Sequence, residues 1–295
     1  MSDTATRALV APNHPVRLSK RPLTPAARIN RVLIYVLVVI MGLFCLIPFA
    51  WLVFASVDEN ASSTLAWPEF TLQHYVELFT EAQTLQLLGN SLIIAVGATA
   101  LTILLGTLGG YALSRFRFPF RRSFMFFILL IRVVPPTATI VPLYLIVVNL
   151  GLNDSLFGLV LVEAAALLPL TLWQMKIAVD SIPIELEEAA WVDGGTRFRA
   201  FRIIVFPLVG PTLGAAAMFA FMGAWGDFLT PLVLLQSPEL YPLSIGLFYA
   251  FSEFNQVNWG VLTATAMIYM VPPTVLYLLV RKYLFKASLS GAVKG

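Results

Sequence analysis

The stretch that decides the fold runs from Leu87 to Arg122 and reads LLGNSLIIAVGATALTILLGTLGGYALSRFRFPFRR. No charged residue occurs from Leu87 to Leu113, and Arg115, Arg117, Arg121 and Arg122 follow directly. An apolar run above ~20 residues is long enough to cross the hydrocarbon core of a bilayer. Inside that core every backbone polar group needs an internal partner, so a helix is the default. Arginines just beyond such a run mark its cytoplasmic end. This segment therefore predicts a membrane span with its C-terminal end in the cytoplasm.

The same pattern extends outward. The 295 residues are 59% hydrophobic and only 12% charged, against about 25% charged in soluble domains. Further apolar stretches run over Val32–Ala55, Phe124–Val148, Ser155–Ile177, Val205–Leu235 and Val261–Val280. Apart from Arg132 and Lys176, Lys and Arg are confined to alternate connections: the N-terminal arm, the turn after span two, the loop after span four and the tail. The segments between carry Asp58, Glu59, Glu69, Glu77, Glu81, Asp154, Glu239 and Glu253 and no Lys or Arg. The expected fold is an all-α polytopic membrane protein with six transmembrane helices and both termini cytoplasmic. Its parts are an arm over 1–28, a membrane domain over 29–286 and a tail over 287–295. The external segment is 57–86, where Phe70-Thr71-Leu72 with Tyr75 suggests a short helix on the membrane surface. The first run begins too late and is too long for a cleavable signal.

Several function classes lack their motifs. There is no Gly-Lys-Ser or Gly-Lys-Thr, so P-loop binding of ATP by this chain is excluded. HExxH, CxxC and GxSxG are also missing. His14 and His74 read as solvated, and Cys45 as a small packed hydrophobe. No catalytic residue, metal site or cofactor is expected in this chain.

One cytoplasmic loop is too long and too charged for a connector. Residues 180–208 read DSIPIELEEAAWVDGGTRFRAFRIIVFPL. Ser181 or Ile182 would cap a first helix, with Pro183 in its first turn and Glu185, Glu187 and Glu188 facing the positive end of its dipole. Gly194-Gly195 would end it. Thr196 would cap a second helix, Arg197–Ile204, in which Phe198, Phe201 and Ile204 or Val205 share a face. Physically, two readings stand: an amphipathic connector on lipid headgroups, or a docking element for a soluble partner.

The run Glu188-Ala189-Ala190, Asp193-Gly194, then Ile204, Phe206 and Pro207 resembles the EAA motif of bacterial ABC importer permeases. The likeness includes Asn90-Ser91-Leu92, Trp225 through Leu232, and the end Gly291-Ala292-Val293-Lys294-Gly295. It is similar to the carbohydrate-uptake branch, in particular its MalG-like second permease, although Gly226-Asp227 stands where the family has Asn and an acidic residue. The resemblance implies a cytoplasmic coupling-helix (EAA) loop over 180–207 and a binding-protein-dependent importer for a di- or oligosaccharide. It implies a second homologous permease, two ATP-binding subunits that bring ATP and Mg, and an extracytoplasmic solute-binding protein. No nucleic acid is involved, and the setting is the bacterial inner membrane. By resemblance, Glu188, Ala189, Ala190, Asp193, Gly194, Phe198 and Phe201 would dock the ATPase. Gly291, Val293 and Lys294 would reach the ATPase interface.

Arg132, Glu163 and Asp227 fall inside spans, where charge is costly. Arg132 and Glu163 are candidates to pair. Asn90, Trp225, Asp227 and Phe228 form the candidate substrate pathway, since aromatic faces beside a carboxylate suit sugars. The competing function is a stand-alone secondary transporter or channel, which would need coupling-ion ligands at mid-membrane.

Overall fold

The structure is a computed structural model that describes residues 25–64, 67–252 and 257–292. Among the described residues the regular elements are all helical. Helix α1 spans Pro25–Ser56. Up to Ala50 it forms a compact unit by itself, with its large apolar side chains exposed from Ile29 to Ile47. A helix apolar on all sides is suited to lipid. The second unit begins at Trp51.

In that unit Asp58 and Phe70 form an isolated bridge, and α2 covers Gln73–Thr80. The expected surface helix thus starts just after Phe70-Thr71-Leu72, with Leu72 as its N-cap and Tyr75 inside it. Two long helices organise the rest: α3, Ala82–Arg115, and α6, Leu156–Asp180. Between them lie α4, Arg121–Ile131, and α5, Pro136–Asn149. A single span had been expected over Phe124–Val148, but α4 and α5 are bent by 103°. Pro135 and Pro136 explain the break. Proline removes a backbone donor and drives the preceding residue out of the helical region.

The close contact of α3 with α6 depends on small residues. A Cβ on Gly106 would meet Thr171 Cγ2 at 2.5 Å, and one on Gly110 would lie 2.7 Å from Met175 Cβ and 2.9 Å from the Lys176 nitrogen. Glycine lets the two backbones approach where a larger residue would hold them apart. Ser155 starts α6 by accepting from the Gly158 amide at 3.0 Å.

The chain then passes through α7, Glu185–Val192, and α8, Arg197–Ala200. A π-helical turn over Phe201–Val205 leads into α9, Phe206–Leu208, and α10, Gly210–Gly226. Arg197–Leu208 and α10 are bent by 74° at Val209, ahead of Gly210 and Pro211. The expected fifth span breaks again at Asp227 before α11, Leu229–Leu234. Helices α12, Leu243–Ser252, and α13, Trp259–Ala292, complete the fold. Helix α10 packs against α3, α6 and α13.

The α2 end is closed by polar clamps. Asp154, in a left-handed conformation at φ 50°, accepts from the amides of Gln236 at 2.9 Å and Ser237 at 3.0 Å and from the Ser237 hydroxyl at 2.6 Å. These bonds hold its carboxyl below the usual aspartate range, the Ser237 hydroxyl contributing most.

Two outcomes are expected. Gly110→Ala destabilises the detergent-solubilised chain by about 1–3 kcal/mol, because overpacking forces backbone shifts. Gly89→Ala, with open space at the Cβ position, does not. Thermal unfolding of the two variants checks this. For Asp154, a folded pKa below the unfolded value of about 3.9 means its contribution is complete above that pH and is lost as pH falls through the lower folded value. Protection of the Gln236 and Ser237 amides, measured as exchange relative to the intrinsic rate at each pH, should therefore stay high at pH 5 and fall only in stronger acid.

Candidate functional site

The site is built from α7 outward. Its first-turn acids suit the positive end of the helix dipole. Its start differs from expectation: α7 begins at Glu185, and Ile184 is the N-cap without a side-chain bond. Ser181 serves α6 instead, as its C-cap, and donates to the Ala178 carbonyl at 2.7 Å. Pro183 and Ile184 supply carbonyls to Leu186, Glu187 and Glu188. The end is as expected. Gly194 has φ +82°, its amide donates to Trp191, and the Gly195 amide donates to Ala190 at 2.9 Å. That pair of bonds is a Schellman closure, which needs a left-handed residue. Thr196 then caps α8 by accepting from the Arg199 amide at 3.2 Å.

Helical phase divides α7 into two faces. Glu187 is 0% exposed, and Ala190 and Trp191 are half-buried. Glu185, Glu188, Ala189, Val192, Asp193 and Gly194 point outward. Val192 is 88% exposed and Phe198 is 67% exposed. Phe201 is buried, its ring 4.8 Å from that of Tyr111. Its side chain therefore fixes the loop from within and presents no outer surface. The expected shared face of the second helix is split: Phe201 and Val205 turn inward while Phe198 remains outside.

The residue that organises this arrangement is Glu187, whose sequence reading was limited to the helix dipole. Its Oε1 accepts from Arg115 Nε at 2.6 Å and its Oε2 from the Tyr111 hydroxyl at 2.8 Å. Arg115 Nη2 also donates to the Ile182 carbonyl at 2.8 Å. Beside this pair, Ser114 donates to Asp180 at 2.5 Å, and Lys176 pairs with Asp180 one turn back. The Arg197 guanidinium carbon lies 5.3 Å from the Phe116 ring centroid and 5.1 Å from that of Trp191, within cation–π range. The C-terminal end of α3 thus touches the entry, the helix and the exit of the loop.

The candidate pathway residues are engaged within the chain. Asn90 is buried and donates to the carbonyls of Glu239 at 2.8 Å and Tyr241 at 3.0 Å. Trp225 is 4% exposed and stacked on Phe221 and Tyr269. The Asp227 carboxylate caps α11 by accepting from the amides of Leu229 at 2.9 Å and Thr230 at 3.3 Å. Phe228 packs on Phe248 with ring centroids 4.8 Å apart. Trp225 and Asp227 line a narrow cleft with Ser91, Pro231 and Pro242. Arg132 does not pair with Glu163. It donates to the Ala166 carbonyl at 3.0 Å, while the carboxyl of Glu163 meets that of Asp227. Arg132 thus meets α6 at Ala166, about one turn beyond Glu163. Of the tail residues, Gly291 falls near the end of α13, and Val293 and Lys294 lie outside the described residues, as do residues 1–24 of the N-terminal arm.

Residues 102–287 match the family model described as "Binding-protein-dependent transport system inner membrane component". The chain is 31% identical over 275 residues to the maltodextrin transport system permease protein MdxG of Bacillus subtilis, covering 92% of this chain and 98% of that one. It is 32% identical over 267 residues to the galactooligosaccharides transport system permease protein GanQ of the same organism, covering 88% and 94%. The fold is similar to a chain in the crystal structure of a bacterial ABC transporter that imports the acidic polysaccharide alginate. There the TM-score is 0.80 at 23% identity, over 89% of this chain and 99% of that one.

The buried pair makes a direct prediction. Glu187→Ala leaves Arg115 without its carboxylate and should destabilise the chain by roughly 3–5 kcal/mol. Replacing both partners with apolar residues of similar volume should cost far less. Comparing the thermal stability of the single and double variants in detergent checks the difference.

Proposed function

The chain belongs to the family of binding-protein-dependent transport system inner membrane components, and from that membership we propose that it forms half of the translocation pathway of an ATP-driven importer for a di- or oligosaccharide. It is a multi-pass protein of the bacterial inner membrane, and its relatives are sugar-transport permeases. Six spans result when each bent helix pair counts as one. With an even number of spans, and with Arg115, Arg117, Arg121, Arg122, Arg197, Arg199 and Arg202 on one side, both termini are cytoplasmic in this reading. The partners are a second homologous permease, two ATP-binding subunits that bring ATP and Mg, and an extracytoplasmic solute-binding protein. This chain binds no nucleotide itself.

The observation that carries the coupling role is the two-faced α7. Its inner face is bonded to α3, while its outer face shows Glu188, Ala189, Val192 and Asp193 to the surroundings. A helix resting on headgroups presents Lys and Arg with an apolar face toward the bilayer. The outer face of α7 carries Glu185, Glu188 and Asp193, and the last turn of the helix has no basic residue. Anionic lipid would repel that face, so a protein cleft with basic groups is the better occupant. The methyl of Ala189 lets such a partner approach closely, and Gly194 makes the turn that presents the helix. Phe198 adds an exposed apolar anchor. Gly291, Val293 and Lys294 extend the same contact from the tail. Asp227, set at the break between α10 and α11, is the pathway residue.

The test is co-purification of an ATP-binding subunit with the chain from native membranes. Glu188→Lys and Gly194→Pro should each weaken the association by about 2–5 kcal/mol and abolish uptake. The first reverses a contact charge, and the second forbids φ +82°. A purified chain that transports alone without nucleotide would establish a stand-alone transporter instead.

A further inference from the structure

We propose that Glu187, Arg115 and Tyr111 join the docking helix and the α3–α6 pair into one rigid lever, so that any displacement of α7 becomes a displacement of both long helices. The proposal rests on the docking role of α7 and adds the positioning residues that transmit it. By covalent connection alone, α7 is joined to α6 only through the short turn Ser181–Ile184. Such a turn is a natural hinge, about which α7 would pivot without moving the membrane helices.

Arg115 blocks that pivot. It is the last residue of α3, and one guanidinium bonds both the turn and the helix beyond it: Ile182 O at 2.8 Å and Glu187 Oε1 at 2.6 Å. The Tyr111 hydroxyl holds the other carboxylate oxygen, and its ring bears on Phe201 beyond the loop. The pair is shielded from water, with Glu187 fully buried and the Arg115 side chain 10% exposed. Charge-assisted bonds in such surroundings are strong and directional. Behind the pair, α3 and α6 cannot slide freely, because Gly106 and Gly110 bring their backbones into contact. Ser114, Asp180 and Lys176 bond the same two helix ends. A pair serving only stability has no need to bind a hinge, a docking helix and a long span at once. This one does so beneath the helix whose opposite face is bare.

The experiment measures rigidity directly. Cys45, the one native cysteine, is replaced by serine, and nitroxides are placed at Leu186→Cys on α7, outside the docking face, and at Leu105→Cys on α3. Both native positions are exposed. Pulsed electron resonance then gives the label-to-label distance in the chain alone and in the assembled transporter with ATP and vanadate. The unaltered pair should give one narrow distance that is the same in both. In Glu187→Leu with Arg115→Met the distribution should broaden about twofold, with the ATP-binding subunit still co-purifying and transport per ATP hydrolysed reduced. Glu187→Gln, which keeps the shape and removes the charge, should broaden it in the same direction. A distance that stays narrow in folded variants overturns the lever. If the ATP-binding subunit never co-purifies with the unaltered chain, the docking premise falls, while the width in the chain alone still decides rigidity.

Discussion

A carboxylate with no access to water must be given a cation and a full set of donors, and Glu187 receives both from one helix end. That requirement sets the position of everything around the loop. Arg115 has to lie at the last turn of α3, Tyr111 one turn before it, and α7 has to present Glu187 inward. Once Glu187 faces α3, the period of the helix turns Glu188, Ala189 and Val192 outward. The surface available to a partner is therefore a consequence of the buried bond.

The bond would hold little if its own foundation moved. The glycines of α3 remove side chains where α6 passes, and Ser114 with Asp180 and Lys176 bonds the helix ends. In contrast, other helices of the chain are broken. Pro135-Pro136, Val209 and Asp227 interrupt helices that would otherwise run straight. At Asp227 the freed amides of α11 are satisfied by the carboxylate itself. A rigid helix pair beside broken helices is a physical basis for motion that is localised rather than diffuse.

Much of this was legible in the sequence. Long uncharged runs and the one-sided arginines carry the helical membrane class because lipid tolerates few alternatives. Gly194-Gly195 and Thr196 were readable because turn and cap chemistry is local. The identity of the buried acid was not. Glu185, Glu187 and Glu188 are equivalent as dipole complements, and only the phase of the helix separates them. The usable signal was Trp191, four residues after Glu187, since a tryptophan on the inner face marks the side that turns in. Arg115 was hidden for another reason: beside three more arginines it read only as a topology marker. Asp227 bonds amides only two and three residues on, but Asn90 and Trp225 find their partners, the Glu239 and Tyr241 carbonyls and the Tyr269 ring, in distant segments. No local pattern reveals such long-range satisfaction.

The central claim is that the outer face of α7 meets a protein and not the bilayer. A photo-crosslinking amino acid at Val192, activated in intact membranes, tests it most directly. A crosslinked product containing an ATP-binding subunit is expected, and Gly194→Pro should remove it. A label transferred to lipid alone, unchanged by Gly194→Pro, would contradict it.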